Sequence, residues 1–303
     1  MTKYSENFRS SEAEARYFAA YDEALKLWPV QYESKEVDTS FGSTHMLVSG
    51  RDDAPPIIFL HGFSAIATEW YGNIPGISGM YRCYALEIPG DVNKSVLTKP
   101  FGNRDGCVSW LSEVMSLLHI DKAAVVGRSY GGWFALNFAL LNPDRVNNVI
   151  LLSPANTFVP LKKEFYIRAL ATQLIHQRSV TESFSNWTGA KGYKANKERI
   201  TLLFEGRRSF NFTRNFTHII QPRIFTDNEL KSIKPPVLLM LGDQEHLYNP
   251  KNAAERARKL IKNIRVEVIN DAGHSLNMEQ KNKVNQLILE FLPAPINVGY
   301  NGM

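Results

Sequence analysis

The chain has 303 residues, 44% of them hydrophobic, enough to bury a full core in one large domain or two small ones. Its formal net charge of +5 comes from scattered lysines and arginines, with none of the runs of roughly five or six like charges that mark a nucleic-acid or membrane-binding arm. Two cysteines, Cys83 and Cys107, exclude a disulfide framework and make a reducing compartment, the cytoplasm, the expected location.

In chain order, the first thirty residues carry acidic side chains and no unbroken apolar core, so neither a secretion signal nor a transit peptide is expected there. The glycosylation sequons at Asn186, Asn211 and Asn215 then carry no expected role. No stretch approaches the roughly 18–20 apolar residues of a membrane span. Residues 11–28 read as an amphipathic helix, with Ser11 and Glu14 spaced as a capping box and Tyr17, Phe18, Tyr21, Leu25 and Trp28 supplying the apolar surface. We take 1–33 as an N-terminal helical arm.

Short apolar runs mark buried strands at PIIFL (56–60), RCYALEI (82–88), AAVVG (123–127), NNVILLS (147–153), PPVLLML (235–241) and RVEVI (265–269). Helical patterns alternate with them: Val108, Leu111, Met115 and Leu118 recur at helical spacing, Asn249 and Pro250 open a helix over 249–263, and Val284, Leu287, Ile288 and Phe291 form a last stripe. The alternation predicts an α/β fold with a mostly parallel, eight-stranded sheet covered by helices on both faces. It breaks at 156–232, a segment crowded with aromatics from Phe158 to Phe225, including Phe212 and Phe216. Connections of that length without structure are uncommon, so an inserted helical cap is expected there, over a core formed by 34–155 and 233–303.

Gly127-Arg128-Ser129-Tyr130-Gly131 fits GxSxG, a sharp turn from strand to helix that presents a nucleophilic serine, with small residues on either side of it to avoid clashes. By itself the pattern is weak: about one shuffled chain in twelve of this composition contains it. Its context strengthens it, since an apolar strand precedes it and a helical pattern follows. A serine hydroxyl needs a base, and the base needs a group to orient it. Of seven histidines, His274 fits best, in a loop between RVEVI and the last helix; His45, His119, His176 and His218 fall in expected surface, helix or cap segments, and His246 adjoins a better candidate. The orienting acid is expected on the loop after PPVLLML, which offers Glu245 and, as the alternative, Asp243. Glu245 is preferred because it stands three residues after Gly242, where this architecture usually places its acid. The loop 61-HGFSA-65 follows PIIFL, so the backbone N–H groups of Phe63 and Tyr130 are the candidate oxyanion hole, with His61 structural and Asp91 and Asp271 turn formers. Arg128 has no assigned role.

HGF, GRSYGG, LGDQEH and DAGHS together resemble the α/β-hydrolase superfamily. LWPV, FGSTH, DAPP, GDVNKS, LSPANTF, FTDNEL and MEQ extend the resemblance, over nearly the whole chain, to carboxylesterases of bacilli. The resemblance implies cytoplasmic hydrolysis of carboxylic esters, including small apolar and bulky aryl esters, by Ser129, Glu245 and His274 without a cofactor. Other triad hydrolases, such as carbon–carbon bond hydrolases and lactonases, and a slow-turnover small-molecule receptor share these residues and stay as alternatives. HExxH, P-loop and GxGxxG motifs are missing from the sequence, so no residues are assigned to a metal or nucleotide. Nothing in the sequence indicates an oligomeric state.

Overall fold

The computed structural model describes residues 2–211 and 220–294. Phe212, Asn215, Phe216 and His218, named above, lie outside the described residues.

The apolar runs form the centre of one sheet. Its strands are β1 (Glu33–Thr39), β2 (Gly42–Ser49), β3 (Pro56–Leu60), β4 (Arg82–Leu86), β5 (Val96–Leu97), β6 (Ala123–Arg128), β7 (Val146–Leu152), β8 (Val237–Gly242) and β9 (Ile264–Ile269). Eight strands run in the order β1-β2-β4-β3-β6-β7-β8-β9, and β5, only two residues long, pairs beside β2 as a ninth. β1, β2 and β4 pair antiparallel, whereas β4-β3-β6-β7-β8-β9 are parallel throughout. All six residues of β6 and of β8 are buried, which is why these strands read as continuous apolar runs rather than alternating ones. β1, with the sequence ESKEVDT, lies on the sheet edge and buries none of its residues; its charges blunt that edge.

Helices cover both faces. α4 (Tyr130–Leu141) packs on β6 and β7, and α3 (Arg104–Leu117) packs on α4; α1 (Ser11–Leu25) and the single-turn α2 (Ile74–Ile77) precede them in the chain. Between β7 and β8 come α5 (Lys163–Leu174), α6 (Arg178–Trp187), α7 (Lys197–Ser209) and α8 (Asp227–Lys231). The core closes with α9 (Pro250–Leu260), the single-turn α10 (Leu276–Glu279) and α11 (Lys281–Phe291). Asn249 caps α9 by accepting Asn252 N–H, with Pro250 in the first turn, as expected.

Two expectations need correction. The cap of α1 is Ser10, not Ser11: Ser10 is extended, with φ −163 and ψ 167, and its hydroxyl accepts Ala13 N–H at 3.2 Å. Ser11 is already helical, so no box with Glu14 forms. His45 belongs to β2 and is buried, with Nε2 2.8 Å from Ser34 Oγ and Nδ1 3.2 Å from Glu87, rather than lying at the surface.

The N-terminal helix is built into the molecule. Tyr21 donates to buried Glu87 at 2.8 Å and Tyr17 to Val92 O, while Tyr17, Ala20 and Ala24 pack with Ile66, Leu202 and Phe210. α1 thus joins the core to α7 of the inserted segment. Among the described residues no helix is long and apolar enough to cross a membrane.

Candidate active site

The sheet order brings the site together. After β3 the chain places β4 on one side and β6 on the other, so the carboxyl ends of β3 and β6 flank the point where strand order reverses. Crevices at such points are where open α/β sheets bind ligands. His61 follows one of these ends and Ser129 the other.

Ser129 has φ 50 and ψ −112, a region that stores strain of roughly 1–3 kcal/mol in a non-glycine residue. The turn is tight enough to dictate its glycines. A Cβ on Gly127 would stand 2.2 Å from Gly131 O, and one on Gly131 would stand 2.1 Å from Leu60 O.

The structure brings Ser129, His274 and Glu245 into one chain of hydrogen bonds, 2.8 Å from Ser129 Oγ to His274 Nε2 and 2.7 Å from His274 Nδ1 to Glu245 Oε2. An ionised carboxylate only accepts, so Nδ1 carries the imidazole proton and Nε2 is left to accept the serine hydroxyl. Glu245 Oε1 accepts Leu247 N–H at 2.9 Å. Burial works against ionisation of Glu245, but the imidazole and the Leu247 amide outweigh it and hold the carboxyl below its usual range. Asp243 is turned away and accepts Ala272 N–H at 3.2 Å, bracing the loop that carries His274.

Phe63 lies beside the elbow, its ring edge-on to that of Tyr130 with centroids 5.8 Å apart. Neighbouring amides are held: Gly62 N–H by Glu69 at 2.8 Å, Ser64 N–H by Asp91 at 2.6 Å and Ala65 N–H by Gly62 O at 3.1 Å. His61 fixes the same loop, with Nε2 accepting Ile88 N–H and Nδ1 against Gly62 O. Asp91 sits in a turn, as expected, and is buried there, 4% exposed.

Burial raises the Asp91 carboxyl from 3.8 to about 6, against the pull of His61 and the amides of Val92 and Ser64. The folded protein therefore keeps this proton over a range where the unfolded chain has lost it. The stability Asp91 contributes is greatest below its unfolded value and is lost as pH rises through its folded value. Asp91→Asn is expected to remove this slope, so that between about pH 4 and 6.5 urea unfolding moves in the variant's favour relative to wild type. Equal slopes would contradict the assignment.

Two groups that tie the loops together escaped the sequence reading. Arg128 is buried below Ser129, ion-paired with Glu69, and donates from Nε to His274 O at 3.3 Å and from Nη2 to Ser275 Oγ at 3.2 Å. Glu69 accepts Gly62 N–H through its other oxygen and lies 3.5 Å from Arg199 of α7. Burial opposes its charge, yet Arg128, Arg199 and the Gly62 amide hold its carboxyl below the ordinary range. Glu279 accepts the N–H groups on both sides of His274, from Gly273 at 2.8 Å and Ser275 at 3.0 Å, and also Ala190 N–H at 2.9 Å. The sequence signal for the first group was a charge between an apolar strand and the elbow serine; for the second it was MEQ, noted only for its resemblance. Among the described residues no group of three or more His, Cys, Asp or Glu is arranged to hold a metal.

A strand-elbow-helix serine in hydrogen-bond contact with a late-loop histidine, on a parallel sheet of this order, is an arrangement of the α/β-hydrolase fold, and by its similarity to known proteins the chain belongs to that family, among its carboxylesterases. A family profile described as alpha/beta hydrolase fold matches residues 55–194. The chain is 38% identical to the uncharacterised carboxylesterase nap of Bacillus subtilis (strain 168), over 93% of this chain and 94% of the relative. It is 37% identical to carboxylesterase YbfK of the same organism, over 96% and 98% of the two chains. The crystal structure of naproxen esterase (carboxylesterase NP) from Bacillus subtilis superposes with a TM-score of 0.87 at 38% identity, covering 93% of this chain and 98% of that one.

Proposed function

We propose that in this serine carboxylesterase Ser129 is the nucleophile, His274 the general base, Glu245 the group that orients it, and the Phe63 and Tyr130 backbone N–H groups the oxyanion hole. The observation that carries this reading is the hydrogen-bond chain from Ser129 Oγ through His274 to Glu245 Oε2. Ser129 Oγ attacks the ester carbonyl as its proton passes to His274 Nε2, and the Phe63 and Tyr130 amides receive the charge that develops on the carbonyl oxygen. His274 returns the proton to the departing alcohol. Water, deprotonated by the same imidazole, then attacks the acyl-enzyme and releases the acid, and Ser129 regains its proton. The residues needed are all side chains and amides of this chain, so the reaction requires no cofactor.

Residues 156–232 serve as a cap over the core formed by 34–155 and 233–303, with 1–33 as the arm that ties the two. The aromatic content of the cap and the exposed Phe63 ring suit small apolar or aryl esters, the class of substrate from which the naproxen esterase of Bacillus subtilis takes its name. Free, buried Cys83 and Cys107 accord with a cytoplasmic setting.

Glu245→Gln tests the choice of acid. The amide keeps the shape but offers a donor toward Nδ1 and favours the wrong tautomer, so kcat on p-nitrophenyl butyrate is expected to fall by about 10⁴-fold. A fall of that size in Asp243→Asn, with Glu245→Gln nearly unaffected, would reverse the assignment.

A further inference from the structure

Surface helices normally turn their apolar stripe toward the core. Helix α5, the first of the inserted segment, turns one outward. Of its twelve residues only Thr172 is buried, while Ile167, Leu170 and Leu174 are 69%, 57% and 70% exposed, with Tyr166 and Ile175 exposed alongside. Among the described residues twelve large apolar side chains are exposed, and five of them fall in these ten positions, so the stripe is a patch rather than scatter. The inner side of α5 is already occupied. It packs on α6 and α7, with the Phe165 and Phe184 ring centroids 6.1 Å apart.

The charges around the outer face are of one sign. Lys163 lies on the stripe itself, since 163, 167, 170 and 174 recur at helical spacing; Lys162 adjoins it and Arg178 follows at the other end. All three are exposed and have no acidic partner among the described residues, whereas Glu164, the one acid of α5, is bound by Arg168 at 2.8 Å. Residues 161–200 hold eight lysines and arginines against three glutamates, so the whole formal charge of +5 resides there and the rest of the chain is balanced. No run of like charges announces this surface, because helical spacing assembles it.

We propose that the outer face of α5 docks on an anionic lipid surface, its apolar side chains dipping among the acyl chains while Lys162, Lys163 and Arg178 meet the headgroup phosphates. A helix of this length is roughly 18 Å long and about 10–12 Å across. Its single free face therefore falls far short of the ~800 Å² per partner that a stable dimer needs. A lipid surface has no such requirement, since it takes a basic amphipathic helix lying flat at the boundary of headgroups and acyl chains. The root of α5 is tied to the loop of Glu245 through Lys162 N–H, which donates to Leu247 O at 2.7 Å. Docking by this face would hold the molecule where apolar esters partition.

Co-sedimentation of the full chain with large vesicles tests this. Binding to vesicles containing about a third phosphatidylglycerol is expected to exceed binding to phosphatidylcholine vesicles by on the order of 10-fold, and to weaken in ~0.5 M salt. Leu170→Ser/Leu174→Ser is expected to lower the partition by on the order of 100-fold. Lys162→Ala/Lys163→Ala is expected to lower it by on the order of 10-fold and to remove most of the preference for phosphatidylglycerol. Both variants should turn over soluble p-nitrophenyl butyrate at the wild-type rate, which shows that they are folded; if the leucine variant does not fold, the lysine variant and the salt series decide. Absence of binding, equal binding to the two kinds of vesicle, or binding that the substitutions leave unchanged overturns the proposal. So does a wild-type dimer in sedimentation velocity that Leu170→Ser/Leu174→Ser dissociates, which assigns the face to a second copy of the chain. Because binding is read without turnover, its failure leaves the esterase reading untouched.

Discussion

Ser129→Ala is expected to lower kcat on p-nitrophenyl butyrate by about 10⁴–10⁶-fold and to abolish covalent labelling by a fluorophosphonate. The size of the effect follows from the geometry. Among the described residues only Oγ of Ser129 stands within hydrogen-bond distance of His274 Nε2, at 2.8 Å, so none of their other side chains inherits the proton transfer when it is removed. The elbow is held by backbone, through Ser129 N–H to Leu152 O at 2.9 Å and Ala155 N–H to Ser129 O at 3.1 Å. Unfolding of the variant should therefore resemble that of wild type, which separates lost chemistry from a lost fold. Turnover or labelling at the wild-type level would remove Ser129 from the mechanism.

The second large effect is expected at Arg128. Both members of its ion pair with Glu69 are buried, so Arg128→Met leaves a carboxylate in the interior with Arg199 at 3.5 Å and one amide for company. Removing one partner of a buried pair costs about 3–5 kcal/mol, whereas replacing both by apolar side chains is often close to neutral. Urea unfolding should thus show a loss of that order for Arg128→Met and recovery of part of it in Arg128→Met/Glu69→Met, which leaves Arg199 and the Gly62 amide without their carboxylate. Activity separates stability from positioning. The guanidinium also holds His274 O and Ser275 Oγ, so the double variant should regain that part of the stability without regaining kcat, while KM changes less. A single variant as stable as wild type would show that the pair carries no such role.

Much of the fold was legible because strands buried on both faces leave long apolar runs. β3 begins and ends where PIIFL does, and β6 and β8 differ from their runs by one or two residues. The edge escaped for the converse reason: ESKEVDT has no apolar periodicity, and β5 is too short to have any. Placing Ser129, His274 and Glu245 along the chain needed only local cues, a glycine-flanked elbow and loops that follow strands. Preferring Glu245 to Asp243 relied on an offset from Gly242; the direction of each carboxylate, one to the imidazole and one to Ala272 N–H, depends on the folded loop. Arg128 was opaque because its partner, Glu69, stands 59 residues away on another loop, and nothing local in either segment announces the other.

Several hydrogen bonds of the site join residues far apart in sequence. His274 reaches Ser129 across 145 residues and Arg128 reaches Ser275 across 147, while Glu279 holds Ala190 across 89. Closing loops of this size carries an entropic cost that nothing local offsets, and parallel strand pairing adds to it. β3, β4 and β6 can associate while the chain is still short of residue 150, but the base, its acid and the clamp at Glu279 arrive only with the last sixty or so residues. On the proposed roles, a chain ending before residue 245 would carry its elbow serine with neither base nor acid, and reactivity should appear only once the C-terminal strands have docked.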